Sequence, residues 1–219
     1  MKALRFQATG SLDELEFVDC PDPQPADGEV LVRIEAAGLN TSDVSNVRGG
    51  HPYTTLPRIP GRDFSGIVVE GPPRLIGQAV WGTGRQFGFT RDGSHARLIA
   101  APADGIAPKP ASLSHAQAAA CGVPFVTAWA GLEKSGVGKD CRLLVVGAAG
   151  GVGSAAVTLA RWLGADVTGA VRKPGQLAAI EASGARSLLL PEGSSLEEAT
   201  RAQLGQGYDV VFEIGRAHV

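Results

Sequence analysis

The sequence predicts an α/β protein: a β-rich first part followed by the first half of a doubly wound parallel sheet. Three observations carry that expectation. Short strand-like runs separated by Gly and Pro fill the chain up to about residue 115. Beyond it, apolar segments at 142–147, 166–171, 186–190 and 208–212 recur with a helix-like segment between each pair, the spacing of βαβ units. The turn after the first of these segments is GAAGGVG, residues 147–153.

Taken in order, the first run is 2–6. A proline-spaced loop, PDPQP, and the turn pair Asp27-Gly28 lead into 29–36, where Val30, Val32 and Ile34 alternate with Leu31, Arg33 and Glu35. Runs at 65–70 and 77–82 repeat the theme, so residues 1–115 read as an irregular β domain, a partly open barrel. Ser114 is placed to cap an alanine-rich helix, HAQAAAC, which opens a second domain over 116–213, and another helical stretch follows Pro124. Strand 143–147, LLVVG, is apolar on both faces, as a covered parallel strand must be. The helix from Gly151 puts Ser154, Thr158 and Arg161 on one side. Pro174 and Gly184 bracket the next helix at the ends where each is tolerated, and Ser195 with Glu198 has capping-box spacing for the third.

Composition narrows the function. With a formal charge of −2, 44% apolar and 5% aromatic residues, neither a polyanion nor a membrane surface is an expected partner. Cys20, Cys121 and Cys141 are odd in number and far apart, which argues for a reducing compartment and against a structural zinc knuckle. The opening MKALRFQATG lacks an apolar signal region, and no uncharged run reaches the ~18 residues a membrane span needs. The chain therefore reads as soluble and cytoplasmic.

Between a buried strand and a helix, the turn Ala148, Ala149, Gly150, Gly151, Val152, Gly153 suits a dinucleotide pyrophosphate seated at the helix N-terminus. Gly150 admits the phosphates to the backbone, and Gly153 lets helix and strand pack closely. The alternative is a glycine-rich turn that binds nothing. Sheets that prefer NAD end their second strand with an acid for the ribose 2′-hydroxyl. Here Val171 is followed by Arg172 and Lys173, two cations that suit a 2′-phosphate and so NADPH, unless they form only a solvated basic loop.

Together, EVLVRIEAAGLNTSD, IPGRDFSGIVVEGP, DGSHARLI, PFVTAW and GAAGGVGSAAVTLARWLGA stand in a familiar order and spacing. Over residues 1–212 the chain resembles the zinc-independent, quinone-oxidoreductase-like branch of the medium-chain dehydrogenase/reductase superfamily. The resemblance implies a GroES-like β domain, a Rossmann domain, and hydride transfer in the cleft between them. Where zinc-dependent relatives place Cys and His ligands, this chain has Asn40 and Arg62, neither of which ligates zinc, so no metal is expected. An acceptor that is already electrophilic follows, a quinone or an activated C=C such as an enone or alkenal, with an enoyl thioester as the alternative and a non-catalytic NADPH-binding protein as another. The resemblance sets Asn40 and Asp43 beside the nicotinamide and packs Thr127 and Val152 against it. Arg62 is placed to meet negative charge on the reduced acceptor, or else to pair with Asp63. Tyr53 and His51, in the GGHPYTT loop, line the pocket or donate a proton, or else are surface polar residues with no chemical role, while Trp129 and Trp162 are expected in the core. A homodimer is implied for the full-length parent.

The chain ends just after its fourth expected Rossmann strand, so it reads as C-terminally truncated. Residues 214–219 depart from the family's acid-x-x-Gly-Gly pattern, and their back-translation matches the start of a common sequencing adapter. They are expected to be a non-native tail.

Overall fold

Alternation along 29–36 produces a strand that lies inside, not at the edge of, the first sheet. The computed structural model of the protein describes residues 1–191, 193–204 and 207–213. Its first part contains β1 (Lys2–Arg5), β2 (Glu16–Asp19), β3 (Glu29–Ala37), the short helix α1 (Thr41–Val47), β4 (Phe64–Glu70), β5 (Ala79–Gly82), β6 (Leu98–Pro102), β7 (Ile106–Pro108) and α2 (His115–Ala119). The strands form a five-stranded sheet ordered β6-β3-β4-β5-β7 and a separate β1-β2 pair.

Val30 and Val32 join Phe64, Val68, Val80, Phe87, Ile99 and Ala101 in the core of this sheet. Leu31, on the expected outer side, is buried as well, where the β3–β4 register shifts between Leu31 and Val32. Sequence patterning did not anticipate β2, β6, β7 or α1. β7 is a three-residue strand, and β2 is mostly exposed, so neither leaves a hydrophobic period to read.

The first compact unit runs to Val123 and the second starts at Pro124, so α2 lies with the first. The remaining elements are α3 (Gly122–Lys134), β8 (Arg142–Val146), α4 (Gly151–Trp162), β9 (Asp166–Val171), α5 (Leu177–Ala182), β10 (Arg186–Leu189), α6 (Leu196–Leu204) and β11 (Val210–Phe212). The second unit carries a four-stranded sheet ordered β10-β9-β8-β11, and every pair in it is parallel. That is the 3-2-1-4 opening of a Rossmann sheet, with the reversal of strand order between β8 and β11.

β8 shows why its sequence is apolar throughout. Leu143 and Val145 face a cluster with Ala128, Leu132, Ala156, Val157 and Ala160, while Leu144 faces Ala170, Leu188, Leu196 and Ala199. On α4 the buried residues include Gly153, Ala156, Val157 and Ala160, spaced i, i+3, i+4 and i+7, with Ser154, Thr158 and Arg161 outside. Trp162 falls off that face.

The two tryptophans are a correction. Trp129 is 41% and Trp162 75% exposed, with ring centroids 6.4 Å apart, so neither is core. For the third helix of the sheet, the Glu198 N–H donates to Ser195 Oγ at 3.2 Å, as its capping spacing implied. The expected tail, 214–219, lies outside the described residues. Among the described residues, no helix is long and apolar enough to cross a membrane.

Among the described residues, β11 pairs with β8 alone in this sheet and is clamped to it by charge. The Arg142 backbone N–H and Nε donate to Asp209 Oδ2 at 2.9 and 3.1 Å, and the guanidinium also meets Oδ1 at 2.6 Å. This arginine's hydrogen bonds pull the Asp209 carboxyl from 3.8 to about 2. A carboxyl depressed by folding stabilises the fold above its ordinary value and stops doing so as pH falls through the depressed one. Asp209→Asn is therefore expected to lower the unfolding temperature at neutral pH, with the gap to the parent closing as pH approaches about 2. Thermal scans at several pH values check this, and a gap that persists in acid would contradict it.

Candidate functional site

In the first unit, the geometry is organised by a buried carboxylate. Asp63, just before β4, is 1% exposed. Its Oδ2 accepts from Asn40 Nδ2 at 2.8 Å and its Oδ1 from Thr83 Oγ1. Both oxygens also receive the Val123 N–H, at 3.0 and 2.9 Å, in the first turn of α3. A buried charge is tolerated only when met this way. Gly122 is small of necessity, because a Cβ there would stand 2.2 Å from Asp63 Oδ1. Asp63 makes no ion pair with Arg62 among the described residues, so the pairing considered for those neighbours is not formed.

Asn40 also opens α1. Its backbone N–H donates to Asp43 Oδ2 at 2.8 Å, one half of a capping box. Asp43 is buried. Burial pushes its carboxyl up and the charge of Asp63 adds to this, while the Asn40 N–H, His95 and Arg62 pull it back. His95 is fixed by a 3.0 Å bond between Nε2 and the Gly38 carbonyl.

Arg62 stands beside this cluster with its guanidinium 5.2 Å from the Phe89 ring centre. The same ring contacts His51 at 4.9 Å and Tyr53 at 5.4 Å, and Tyr53 itself is largely exposed. Arg62 Nε and His51 Nδ1 are buried and have no hydrogen-bond partner among the described residues. The sequence-predicted Asn40, Asp43, Tyr53 and Arg62 thus share one unit and are linked by contacts through Asp63 and Phe89. Sequence reasoning missed Phe89, Thr83 and the ring-to-ring link, because these contacts join residues far apart in the chain and leave no local pattern.

The second unit holds the glycine turn. Gly147, at φ +70, reverses the chain after β8. The buried Ala148 donates its N–H to the Ala170 carbonyl at 3.1 Å. Ala149, Gly150 and Gly151 are exposed at the start of α4. Gly150 occupies the N-cap without a side-chain cap, so the first N–H groups of this helix are left for a ligand. Gly153 is buried, and a Cβ there would stand 2.2 Å from the Gly147 carbonyl oxygen. These features fit a pyrophosphate. Val152 packs partly on the core of the unit, and Thr127 is exposed on α3. Arg172 and Lys173 follow β9 directly, both exposed.

At the two positions where the resemblance puts zinc ligands, the side chains are Asn40 and Arg62. Asn40 spends its amide N–H on Asp63, and Arg62 is a permanent cation. Among the described residues, no group of three His, Cys, Asp or Glu side chains could hold a metal ion.

A parallel sheet ordered 3-2-1-4 with a glycine turn after its first strand has the form of a dinucleotide-binding fold. Residues 26–111 match the alcohol dehydrogenase GroES-like domain, and 151–218 match the zinc-binding dehydrogenase family. A zinc-type alcohol dehydrogenase-like protein of Schizosaccharomyces pombe is 44% identical over 171 residues, 76% of this chain and 52% of that protein. The tomato (Solanum lycopersicum) 2-methylene-furan-3-one reductase is 33% identical over 226 residues, 97% of this chain and 56% of the enzyme. The quinone oxidoreductase of Thermus thermophilus, whose structure was also solved with NADPH, superposes with a TM-score of 0.83 at 33% identity, covering 99% of this chain and 67% of that one. The chain belongs to the quinone-oxidoreductase-like members of the medium-chain dehydrogenase/reductase superfamily, and it spans about half the length of the curated relatives it matches.

Two outcomes are expected. Gly153→Ala drives a Cβ into backbone, which should cost about 1–3 kcal/mol of stability and abolish dinucleotide binding, read by calorimetric titration. For Asp43, a carboxyl raised by folding favours the fold at low pH and opposes it as pH rises through the raised value. Asp43→Asn should therefore gain stability relative to the parent as pH increases, with no relative gain in acid. A pH-independent difference would sink the assignment.

Proposed function

We propose that the protein is an NADPH-dependent reductase that transfers hydride to a quinone or an activated C=C without a metal. The observation that carries this reading is Arg62: a permanent cation, its Nε buried and unpartnered among the described residues, at the position where metal-dependent relatives hold a zinc ligand. When bound, NADPH supplies the hydride. Arg62 then meets the negative charge that appears on the acceptor oxygen, which in water would be stabilised only by solvent. Asp63 fixes Asn40 beside it. Tyr53, exposed at the edge of the same cluster, is the group proposed to return a proton. The tomato relative supports the C=C branch, since the name of its substrate spells a methylene group beside a ketone. The NADPH complex of the Thermus relative supports the cofactor, as do Arg172 and Lys173 placed after β9.

The ligand set in this reading is Asn40, Asp43, Tyr53 and Arg62 on the acceptor side. Thr127, Ala148, Ala149, Gly150, Gly151, Val152, Gly153, Arg172 and Lys173 serve the cofactor. A cytoplasmic location and a homodimer of the full-length parent belong to the same proposal. The first rests on three free cysteines, the second on family resemblance.

Oxidation of NADPH by 1,4-benzoquinone or an enone, but not by crotonyl thioester, in the longest natural form of the protein is the expected result. Turnover of the thioester instead favours the enoyl-thioester reductase. NADPH binding without oxidation across the panel favours a non-catalytic role. Separately, Arg172→Ala is expected to weaken NADPH about tenfold while leaving NADH unchanged. An equal loss for both cofactors would show that Arg172 does not read the 2′-phosphate.

A further inference from the structure

Phe89 is a buried phenylalanine whose ring is covered by polar neighbours. It is 4% exposed, yet it is Phe87, two positions earlier, that joins the aliphatic core of the first sheet. The ring of Phe89 instead touches Arg62 at 5.2 Å, His51 at 4.9 Å and Tyr53 at 5.4 Å. Arg62 and Tyr53 are candidate acceptor residues, and His51 shares their loop cluster. A guanidinium lying on an aromatic face is held by the ring quadrupole, and its rotational freedom is reduced without using up its donors. Arg62 Nε is buried and unpartnered among the described residues, and the guanidinium stands over the Phe89 ring.

Phe89 is itself well anchored. Its carbonyl accepts the Thr55 N–H at 3.0 Å, and the Gly88 carbonyl accepts Asn46 Nδ2 at 2.6 Å. Thr54 Oγ1 donates to Asn46 Oδ1, and Asn46 is a buried residue of α1. The loop that carries His51 and Tyr53, the turn that carries Phe89, and the helix that carries Asp43 are thereby stitched together. An aromatic ring at the meeting point sets where the cation can be.

We propose that Phe89 is a positioning residue for the acceptor end of the site, its ring holding the Arg62 guanidinium in place. This rests on the reductase reading of Arg62 above. The charge of Arg62 supplies the chemistry, and Phe89 supplies its position. Because it acts through Arg62, its effect should disappear when Arg62 is gone.

The test is a double-mutant cycle in the longest natural form of the protein, with benzoquinone as acceptor. Phe89→Leu, close in volume, is expected to lower kcat about tenfold with the NADPH dissociation constant unchanged. Phe89→Tyr is expected to restore it. In an Arg62→Ala background, Phe89→Leu should cause no further loss. Additive losses, or a loss shared equally by NADPH binding, would overturn the proposal and make Phe89 merely structural. If Arg62→Ala leaves quinone reduction intact, the reading of Arg62 fails and the proposal falls with it. If Arg62→Ala is damaging while Phe89→Leu is silent, only the proposal falls. A readout that needs no turnover is the NMR shift of the Arg62 δ protons. The ring current of Phe89 should move them upfield in the parent and release them in Phe89→Leu, and unshifted protons in the parent would refute the stack.

Discussion

The first unit depends on the need to satisfy one buried charge. Asp63 sits 1% exposed beside β4, and a carboxylate there without donors would cost several kcal/mol. The chain meets it from three distant places: the Asn40 amide before α1, the Thr83 hydroxyl after β5, and the Val123 N–H at the start of α3. Each donor is thereby fixed. Asn40 cannot rotate away without stranding the carboxylate, so the N-cap of α1 is set, and with it Asp43. Gly38 and Gly122 have no room for a side chain because Asp63 and its neighbours already occupy the space. Electrostatic satisfaction and steric exclusion act on the same point.

A different constraint governs the second unit. Its central strands β8 and β9 are buried on both faces, so specificity there cannot come from alternation and is carried by backbone geometry. Gly147 adopts a left-handed φ of +70, and Gly153 brings α4 against the turn. Helix N–H groups are therefore presented to solvent with no side chain in the way. A phosphate bound there is stabilised by groups the fold leaves unsatisfied in any case.

What the sequence reveals follows from these two cases. The Rossmann half was legible almost element by element, since strand burial, glycine geometry and helix caps are all local in sequence. Strands at 142–146, 166–171 and 186–189 and the helix from Gly151 stand where periodicity put them. The β unit was legible only in outline. β7 is too short to show a period and β2 too exposed. Contacts such as Asp63 with Thr83, or Arg62 with Phe89, join separate loops, and no spacing rule encodes them. Trp162 misled for a physical reason: hydrophobicity suggests burial, but its place on α4 is off the stripe formed by Gly153, Ala156, Val157 and Ala160.

In the reading proposed above, position 62 is where one residue redirects the chemistry of a shared fold. A metal ligand must offer a lone pair and tolerate a neighbouring cation, whereas arginine offers only donors and is itself the cation. Placing it next to Asp43 and Asp63 supplies positive charge where the metal-dependent branch would carry it on an ion. The charge is weaker than that of a divalent metal and is spread over a plane, which is why the proposed acceptor is one that is already electrophilic and not an alcohol that needs strong polarisation. Its partner at position 40 follows the same logic, since an amide that donates to Asp63 has its orientation settled by the carboxylate and not by a metal. In that reading the two replacements are one change, with the carboxylate of Asp63 giving Asn40 the orientation that a coordinated ion would otherwise impose.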